Sequence, residues 1–206
     1  MDLSFTQKAN EDQAYSHGSP NMQKFLHQMI LDLQLAPGSI MQIHLRTKGH
    51  FITVWHLNNN GEWKFLIDFG INYNLEQKKM TLKKAKPDKK ALKKDFQQSL
   101  KQAEEKFIQS YKTQGKKAYS SFLSSNSRLN YAGYLPALNP GARKALIDSL
   151  PAGMGYIIIG FKSSPQNDLG YAYGTVDLND KHEGYLRIWR RENDGWKIAV
   201  EVLHFK

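Results

Sequence analysis

The residues best suited to moving a proton lie toward the C-terminal end of the chain. In WKIAVEVLH, Trp196 to His204, period-two alternation puts Trp196, Ile198, Val200, Val202 and His204 on one strand face and Lys197, Ala199, Glu201 and Leu203 on the other. Glu201 is a carboxylate in an apolar run. Taken into a pocket, it would lose water, its pKa would rise, and it could serve as a general acid or base. On a solvated face it would instead pair with Arg187 or Lys197. Tyr173 and His204 are the other candidates for handling a proton. Tyr171, Tyr173, Thr175 and Asp177 share one face of a predicted strand, and Tyr185, Arg187 and Trp189 share a face of the next. Aromatic rings mixed with hydroxyl, guanidinium and carboxylate groups suit a ligand cavity, and they suit an exposed sheet face or an interface as well. The candidate pocket set is Tyr119, Tyr156, Tyr171, Tyr173, Arg187, Trp189 and Glu201.

Other chemistries have no signal. The seven His, at 17, 27, 44, 50, 56, 182 and 204, form no HxxxH or HxH pair, so no metal site is expected. The absence of Cys removes disulfides and thiolate chemistry and leaves the compartment open. No GxSxG, GxxxxGK[ST] or helix-opening GxGxxG is present, so serine hydrolysis and nucleotide binding lack a motif and no cofactor is expected. No apolar run approaches the roughly 20 residues of a membrane span, and MDLSFTQKANEDQ lacks the pattern of a signal peptide. The expectation is a soluble protein, cytoplasmic by default, or exported if a leader has been removed.

The net charge of +10 is concentrated in one place. Nine Lys and one acid, Asp88, lie between Lys78 and Lys94, which leaves +2 for the rest of the chain. The run contains Pro87 and no aromatic residue on which a base could stack, so it reads as a self-repelling linker and nucleic acid is not an expected partner.

The elements that must position the candidates follow from periodicity. Residues 2–16 form a weak helix pattern. Ser19 and Pro20 open a better one, with Met22, Phe25, Leu26, Met29 and Ile30 on one stripe. Leu31 to Leu35 alternates like a strand, and Pro37-Gly38 reads as a turn. HFITVWHL and EWKFLIDFGI flank Asn60-Gly61 as a hairpin. After Asp95 as cap, Phe96, Leu100, Ala103, Phe107 and Tyr111 mark a helix over 96–113 that stops at Gly115. A short helix carries Tyr119 and Phe122. Leu129 to Leu135 reads as a short strand or a hairpin, and Asn139-Pro140 opens a further helix. Strands are predicted at 156–161, 170–178, 184–191 and 196–205. Helices first and strands last indicate an α+β layer rather than βαβ alternation.

The chain also repeats itself. With Trp55 set against Trp189, Asn60-Gly61 falls on Asp194-Gly195 and Trp63-Lys64 on Trp196-Lys197, with Glu62 as one extra residue. Asp68 and Glu201 are then equivalent carboxylates.

The order of elements, together with Asp168-Leu169-Gly170-Tyr171-Ala172-Tyr173-Gly174-Thr175, Tyr185 to Arg190 and Asp194-Gly195-Trp196-Lys197, resembles the nuclear transport factor 2-like superfamily, and more closely its SnoaL-like bacterial domains of unknown function. The resemblance covers about residues 95–206. It implies a cone-shaped curved antiparallel sheet wrapped around helices, a cystatin-like arrangement, preceded by a truncated N-terminal repeat. The implied organisation is a shortened repeat at 1–76, a Lys-rich linker at 77–94 and the main domain at 95–206.

Relatives of this kind include isomerases, cyclases, dehydratases and non-catalytic association modules. Isomerase-type relatives carry a catalytic Asp just after the second helix, where this chain has Ser124-Ser125-Asn126-Ser127. The implied function is binding of a small apolar or amphipathic molecule, or self-association, without established catalysis. The alternative is an isomerase, cyclase or dehydratase-type enzyme using Glu201, Tyr173 or His204. Only 62 residues precede Trp63, too few for a full copy, so apolar residues such as Phe51, Phe65, Ile67 and Phe69 need cover. Packing of the two repeats on each other, or a homodimer, would supply it.

Overall fold

The computed structural model describes residues 37–42, 45–58, 60–73 and 98–204. The two N-terminal helices, the strand at Leu31 to Leu35 and the lysine-rich run expected from the sequence lie outside the described residues.

Two sheets form around two cores. The first sheet has the order β1-β2-β3, built from β1 (Pro37–Gln42), β2 (Leu45–Leu57) and β3 (Trp63–Tyr73), all antiparallel. Pro37-Gly38 is not the turn expected from the sequence. Pro37 begins β1 opposite His50, at the start of an edge strand, where the missing N–H is tolerated. The β2–β3 turn is held by Asn58, whose Oδ1 accepts from the N–H of Asn60 and of Glu62, both at 2.9 Å, and Gly61 supplies the positive φ of 78°.

The larger unit begins with α1 (Leu100–Gln114). Its cap is Ser99 rather than Asp95: Ser99 and Gln102 bond each other's backbone N–H as a capping box. Gly115, with φ 58°, ends the helix as expected, and a 3₁₀ turn (Gly115–Ala118) leads into the single turn of α2 (Tyr119–Phe122). Next come β4 (Leu123–Tyr131), α3 (Pro140–Asp148) with Asn139 as cap and Pro140 in its first turn, and β5 (Gly155–Ser163). β6 (Leu169–Leu178), β7 (Lys181–Glu192) and β8 (Gly195–Leu203) complete the unit.

The strand order is β4-β8-β7-β6-β5. The α+β layer is as expected, but the sheet is mixed rather than antiparallel throughout, because β4 runs parallel to β8. The sequence signal for β4 is weak since Ser124 to Ser127 leave the ladder: Leu123 opposes Ile198 and pairing resumes with Arg128 opposite Val200.

Three bulges bend the sheets. On β8, Ile188 opposes Val200 while Trp189 opposes Ile198, so Ala199 is the extra residue. On β5 the extra residue is Ile159, and on β3 it is Leu66, between Val54 opposite Ile67 and Trp55 opposite Phe65. The Ala199 bulge corrects the single alternation read from the sequence. Trp196 and Ile198 before it, and Glu201 and Leu203 after it, belong to one side, whereas Val200 and Val202 point to the other.

The inner core lies between the helices and the concave side of the five-stranded sheet, with Phe107, Tyr119, Tyr131, Tyr185, Trp189 and Ile198 buried there. The second core lies between the sheets: Ile52, Val54 and Ile71 of the first pack with Tyr171, Leu186, Ile188, Val200 and Val202 on the outer side of the second. Ile67 and Phe69 are thereby covered, while Phe65 stays 52% exposed. A backbone bond from Gly133 N–H to the Asn72 carbonyl, 2.8 Å, also joins the two units.

Candidate functional site

The inner core has a charged centre. Glu104 projects from α1 on the stripe Leu100, Ala103, Phe107, Tyr111; Arg187 projects from β7 and Glu201 from β8, and all three are fully buried. Arg187 and Glu201 are directly opposed in the β7–β8 ladder, which places both on one face. Arg187 donates through Nε to Glu201 Oε1 at 2.6 Å and through Nη1 to Glu104 Oε1. Its guanidinium carbon lies 4.3 Å from the ring centre of Phe107, 4.2 Å from that of Tyr156 and 4.4 Å from that of Tyr185. Those ring faces partly replace the water that the cation has lost.

Both carboxylates are further bonded. Glu104 accepts from Tyr185 Oη at 3.1 Å and, on its other oxygen, from Trp189 Nε1 at 2.6 Å. Glu201 Oε2 accepts from Tyr131 Oη at 2.7 Å and Tyr119 Oη at 2.9 Å. Since the Tyr119 proton is committed to Glu201, Tyr156 is the donor in the 3.3 Å contact between their hydroxyls. Each hydroxyl thus has a defined direction, and the whole forms one connected polar network.

The electrostatics follow from burial. Desolvation, followed by the negative charge of Glu201, holds Tyr119, Tyr131 and Tyr156 well above the usual phenol range. Desolvation and then Glu104 do the same for Tyr185. Tyr111 is pushed up to about 12, by burial and then by Glu201. For Arg187 burial alone would lower the pKa, but Glu104 and Glu201 outweigh it and the cation is held well above its ordinary value. These tyrosines are neutral donors throughout the physiological range.

Chemically, Glu201 is saturated. A general base needs a lone pair within hydrogen-bond reach of a substrate proton. The two oxygens of Glu201 accept from Arg187, Tyr119 and Tyr131. The carboxylate therefore pairs with Arg187, as one sequence reading had it, but inside the core rather than on a solvated face; Lys197 pairs with Asp194 at 2.9 Å instead.

Five of the seven pocket candidates, Tyr119, Tyr156, Arg187, Trp189 and Glu201, come together here. Tyr171 and Tyr173 do not. Ala172 opposes Arg187 in the β6–β7 register, so Ala172 faces the charged centre and the two tyrosines face the other way, stacked with ring centres 6.3 Å apart beside the second core. His204 is also on the outside, with Nδ1 2.9 Å from Glu183 Oε2 and its ring edge-on to Phe69.

Sequence reasoning missed Glu104, Tyr131 and the part played by Tyr185. The signal for Glu104 was present: a carboxylate on the apolar stripe of a helix must find a buried cation.

At the position implied for a catalytic Asp, Ser124 Oγ donates to Glu192 Oε1 at 2.6 Å, and Arg143 from α3 donates to the carbonyls of Ser127 and Ser125 at 2.8 and 2.7 Å. Those bonds hold the looped-out segment in place. Among the described residues no group of three or more His, Asp or Glu is arranged to hold a metal ion. None of their helices is long and apolar enough to cross a membrane.

Beside the charged centre, a cleft of about 550 Å³ is lined by Tyr131, Tyr134, Leu150, Pro151, Leu178 and the turn Asn179 to Lys181. A smaller one of about 260 Å³ adjoins it at Tyr134, against Ala142 and Leu146 of α3.

No protein-family model matches the chain, and no curated protein matches it. Solved structures do. A nuclear transport factor 2-like protein of unknown function from Pseudomonas putida is 13% identical, with 52% of this chain and 83% of that one covered and a TM-score of 0.42. A ketosteroid isomerase-like protein from Erwinia carotovora atroseptica is 15% identical over 50% of this chain and 91% of its own, with a TM-score of 0.41. A protein of unknown function with a cystatin-like fold from Nostoc punctiforme is 16% identical over 52% and 89%, with a TM-score of 0.41.

Proposed function

We propose that this chain is a non-catalytic module of the nuclear transport factor 2-like, SnoaL-like kind, and that it works by association through the outer face of its sheet. The observation that carries this is the occupied centre: Glu104, Arg187 and Glu201 bond one another and, with the surrounding tyrosines, fill the place where a substrate would have to sit. Arg187 Nη2 and Tyr111 Oη are the buried atoms there that have no hydrogen-bond partner among the described residues. The outer face, in contrast, is apolar and occupied by another sheet.

The tandem-repeat reading belongs to the same proposal, with a shortened copy at 1–76, a linker at 77–94 and a full copy at 95–206. Its support is the bulge. Under the alignment of Trp63 with Trp196, Leu66 corresponds to Ala199, and both are the extra residue of their hairpin. The buried Arg187–Glu201 pair then corresponds to Thr53 and Asp68, whose side chains bond at 3.0 Å. Ile52, Val54, Ile67 and Phe69 correspond to Leu186, Ile188, Val200 and Val202, so the two hairpins meet through like faces.

The test is Val54→Asp in the full chain. Undocking the hairpin should bare the outer face, lower the melting midpoint and drive association beyond the state of the parent, while the near-ultraviolet dichroism of the inner tyrosines persists. A variant that keeps the parent's melting point and mass would sink the reading.

A second reading rests on the 550 Å³ cleft, whose volume and mostly apolar walls suit a small apolar or amphipathic molecule at the mouth of the cone. Titration with 1-anilinonaphthalene-8-sulfonate should give saturable fluorescence that Leu150→Lys abolishes; equal binding by parent and variant refutes it.

A further inference from the structure

Not every donor at the charged centre is spent. Arg187 carries its N–H groups in a fixed planar fork, and its two ion pairs use Nε and Nη1. Nη2 has no hydrogen-bond partner among the described residues, and neither has the hydroxyl of Tyr111, although Arg187 is fully buried and Tyr111 is 3% exposed. Buried polar groups of folded proteins are nearly always bonded, to protein or to ordered water, because a group left alone has lost its hydration for nothing.

The two groups lie against the same walls. The guanidinium carbon of Arg187 is 4.3 Å from the ring centre of Phe107 and 4.2 Å from that of Tyr156, and the ring of Tyr111 is 6.1 and 5.2 Å from the same two. Tyr111 also stands on the buried stripe of α1 that carries Glu104, about two turns further on. Helical side chains tilt toward the N-terminus, which brings the Tyr111 hydroxyl back toward the arginine. The charges of Glu201 and Arg187 both act on that hydroxyl, in opposite directions.

The chemistry of the gap selects its occupant. Arg187 offers no lone pair and repels a cation. Glu104 and Glu201 already outnumber the one cation they share, so a further anion would add uncompensated charge to the core. What remains is a neutral acceptor small enough for a place walled by aromatic rings.

We propose that one water molecule is built into this core between Arg187 Nη2 and Tyr111 Oη, accepting a hydrogen bond from the guanidinium and sharing a second with the hydroxyl. Two polar partners meet the minimum for a buried water. It ties the C-terminal half of α1 to β7, as Glu104 ties the N-terminal half directly, so the helix is held to Arg187 at two points. The proposal does not depend on how the outer face of the sheet is used.

A high-resolution crystal structure of the full chain should show an oxygen within about 3.2 Å of both Nη2 and Oη. Tyr111→Phe keeps the ring packing and removes one partner of the water. Its unfolding equilibrium constant, measured in urea, should rise roughly two- to tenfold, the loss of one hydrogen bond. A protein atom, an ion or no density between the two groups overturns the proposal. So does a Tyr111→Phe variant as stable as the parent or more so, the result expected of a hydroxyl buried with no partner.

Discussion

Replacing Arg187 with Met removes the cation bonded to both Glu104 and Glu201 while keeping an unbranched stem among the rings. Two charge-assisted hydrogen bonds are lost, each worth about 1.5–3 kcal/mol, together with the contacts to Phe107, Tyr156 and Tyr185. Removing one member of a buried ion pair costs about 3–5 kcal/mol, because the partner charge stays behind without compensation. Here two charges stay behind. For a protein of ordinary stability, about 5–15 kcal/mol, the variant should be folded but fragile. With a urea m-value of about 2 kcal/mol/M, the unfolding midpoint should fall by about 2 M.

The deficit should also depend on pH in a set direction. Without Arg187, the two buried carboxylates lose their counter-charge, a cost that proton uptake relieves, so the variant's stability should recover relative to the parent as the pH is lowered. Combining Glu104→Gln, Arg187→Met and Glu201→Gln should restore most of the loss, since replacing a whole buried charge cluster is often neutral. The assay is urea unfolding followed by tryptophan fluorescence at several pH values, with Trp189 as the reporter inside the site. If Arg187→Met unfolds within about 1 kcal/mol of the parent, or if its deficit ignores pH, the charged centre does not hold the cone together in the way argued.

Three further outcomes are expected. Tyr111, Tyr119, Tyr131, Tyr156 and Tyr185 have folded pKa values raised above the unfolded value of about 10, so the stability they confer is present below that value and lost as the pH rises beyond it. The tyrosinate absorbance of these five should therefore appear late and together with unfolding, and a smooth titration of all ten tyrosines near pH 10 in the folded protein would contradict the burial. His50 is held below its ordinary pKa by burial and then by the charge of Arg128, so the unfolded chain takes up its proton first and stability declines as the pH drops below about 6.5. His50→Gln should flatten the melting-point profile in that range, and an unchanged profile would dismiss the contribution. Gly174→Ala would bring a Cβ to 1.8 Å from the Ile157 carbonyl oxygen and 3.0 Å from the Tyr185 ring, so β5 must part from β6 at a cost of about 1–3 kcal/mol or more; a melting curve equal to the parent's would refute that close approach.

The parts of this architecture that showed in the sequence are those set by local period and caps. α1, α3 and β5 to β8 follow from apolar spacing, from Asn139-Pro140 and from the Gly and Pro residues that bound them. What stayed hidden depended on partners distant in the chain. Ser124 to Ser127 could not announce a strand, because β4 is defined by its parallel alignment with β8. The Ala199 bulge leaves no trace in hydropathy, yet it turns Val200 and Glu201 onto sides opposite to those that simple alternation from Trp196 assigns.

Glu201 was still recognisable as a carboxylate in an apolar strand. Its role was harder to read because Glu104, its counterpart across Arg187, comes from a helix ninety-odd residues earlier. Tyr171 and Tyr173 resembled a pocket lining because both faces of β6 are buried, one under helices and one under a second sheet, and alternation cannot tell two buried faces apart.

The docking of the first sheet on the second also has a consequence for the order of synthesis. β3 is complete at Tyr73, but the surface that receives Ile52, Val54 and Ile71 is made by β6, β7 and β8, which begin at Leu169, Lys181 and Gly195. A ribosome adding about 5–20 residues per second leaves that hairpin waiting for several seconds with its apolar side in water. During the same interval Glu104 has left the ribosome without its cation. The nascent chain thus passes through a stage in which one face seeks a sheet and one helix carries an unmatched charge, and both needs are met only when the closing strands emerge.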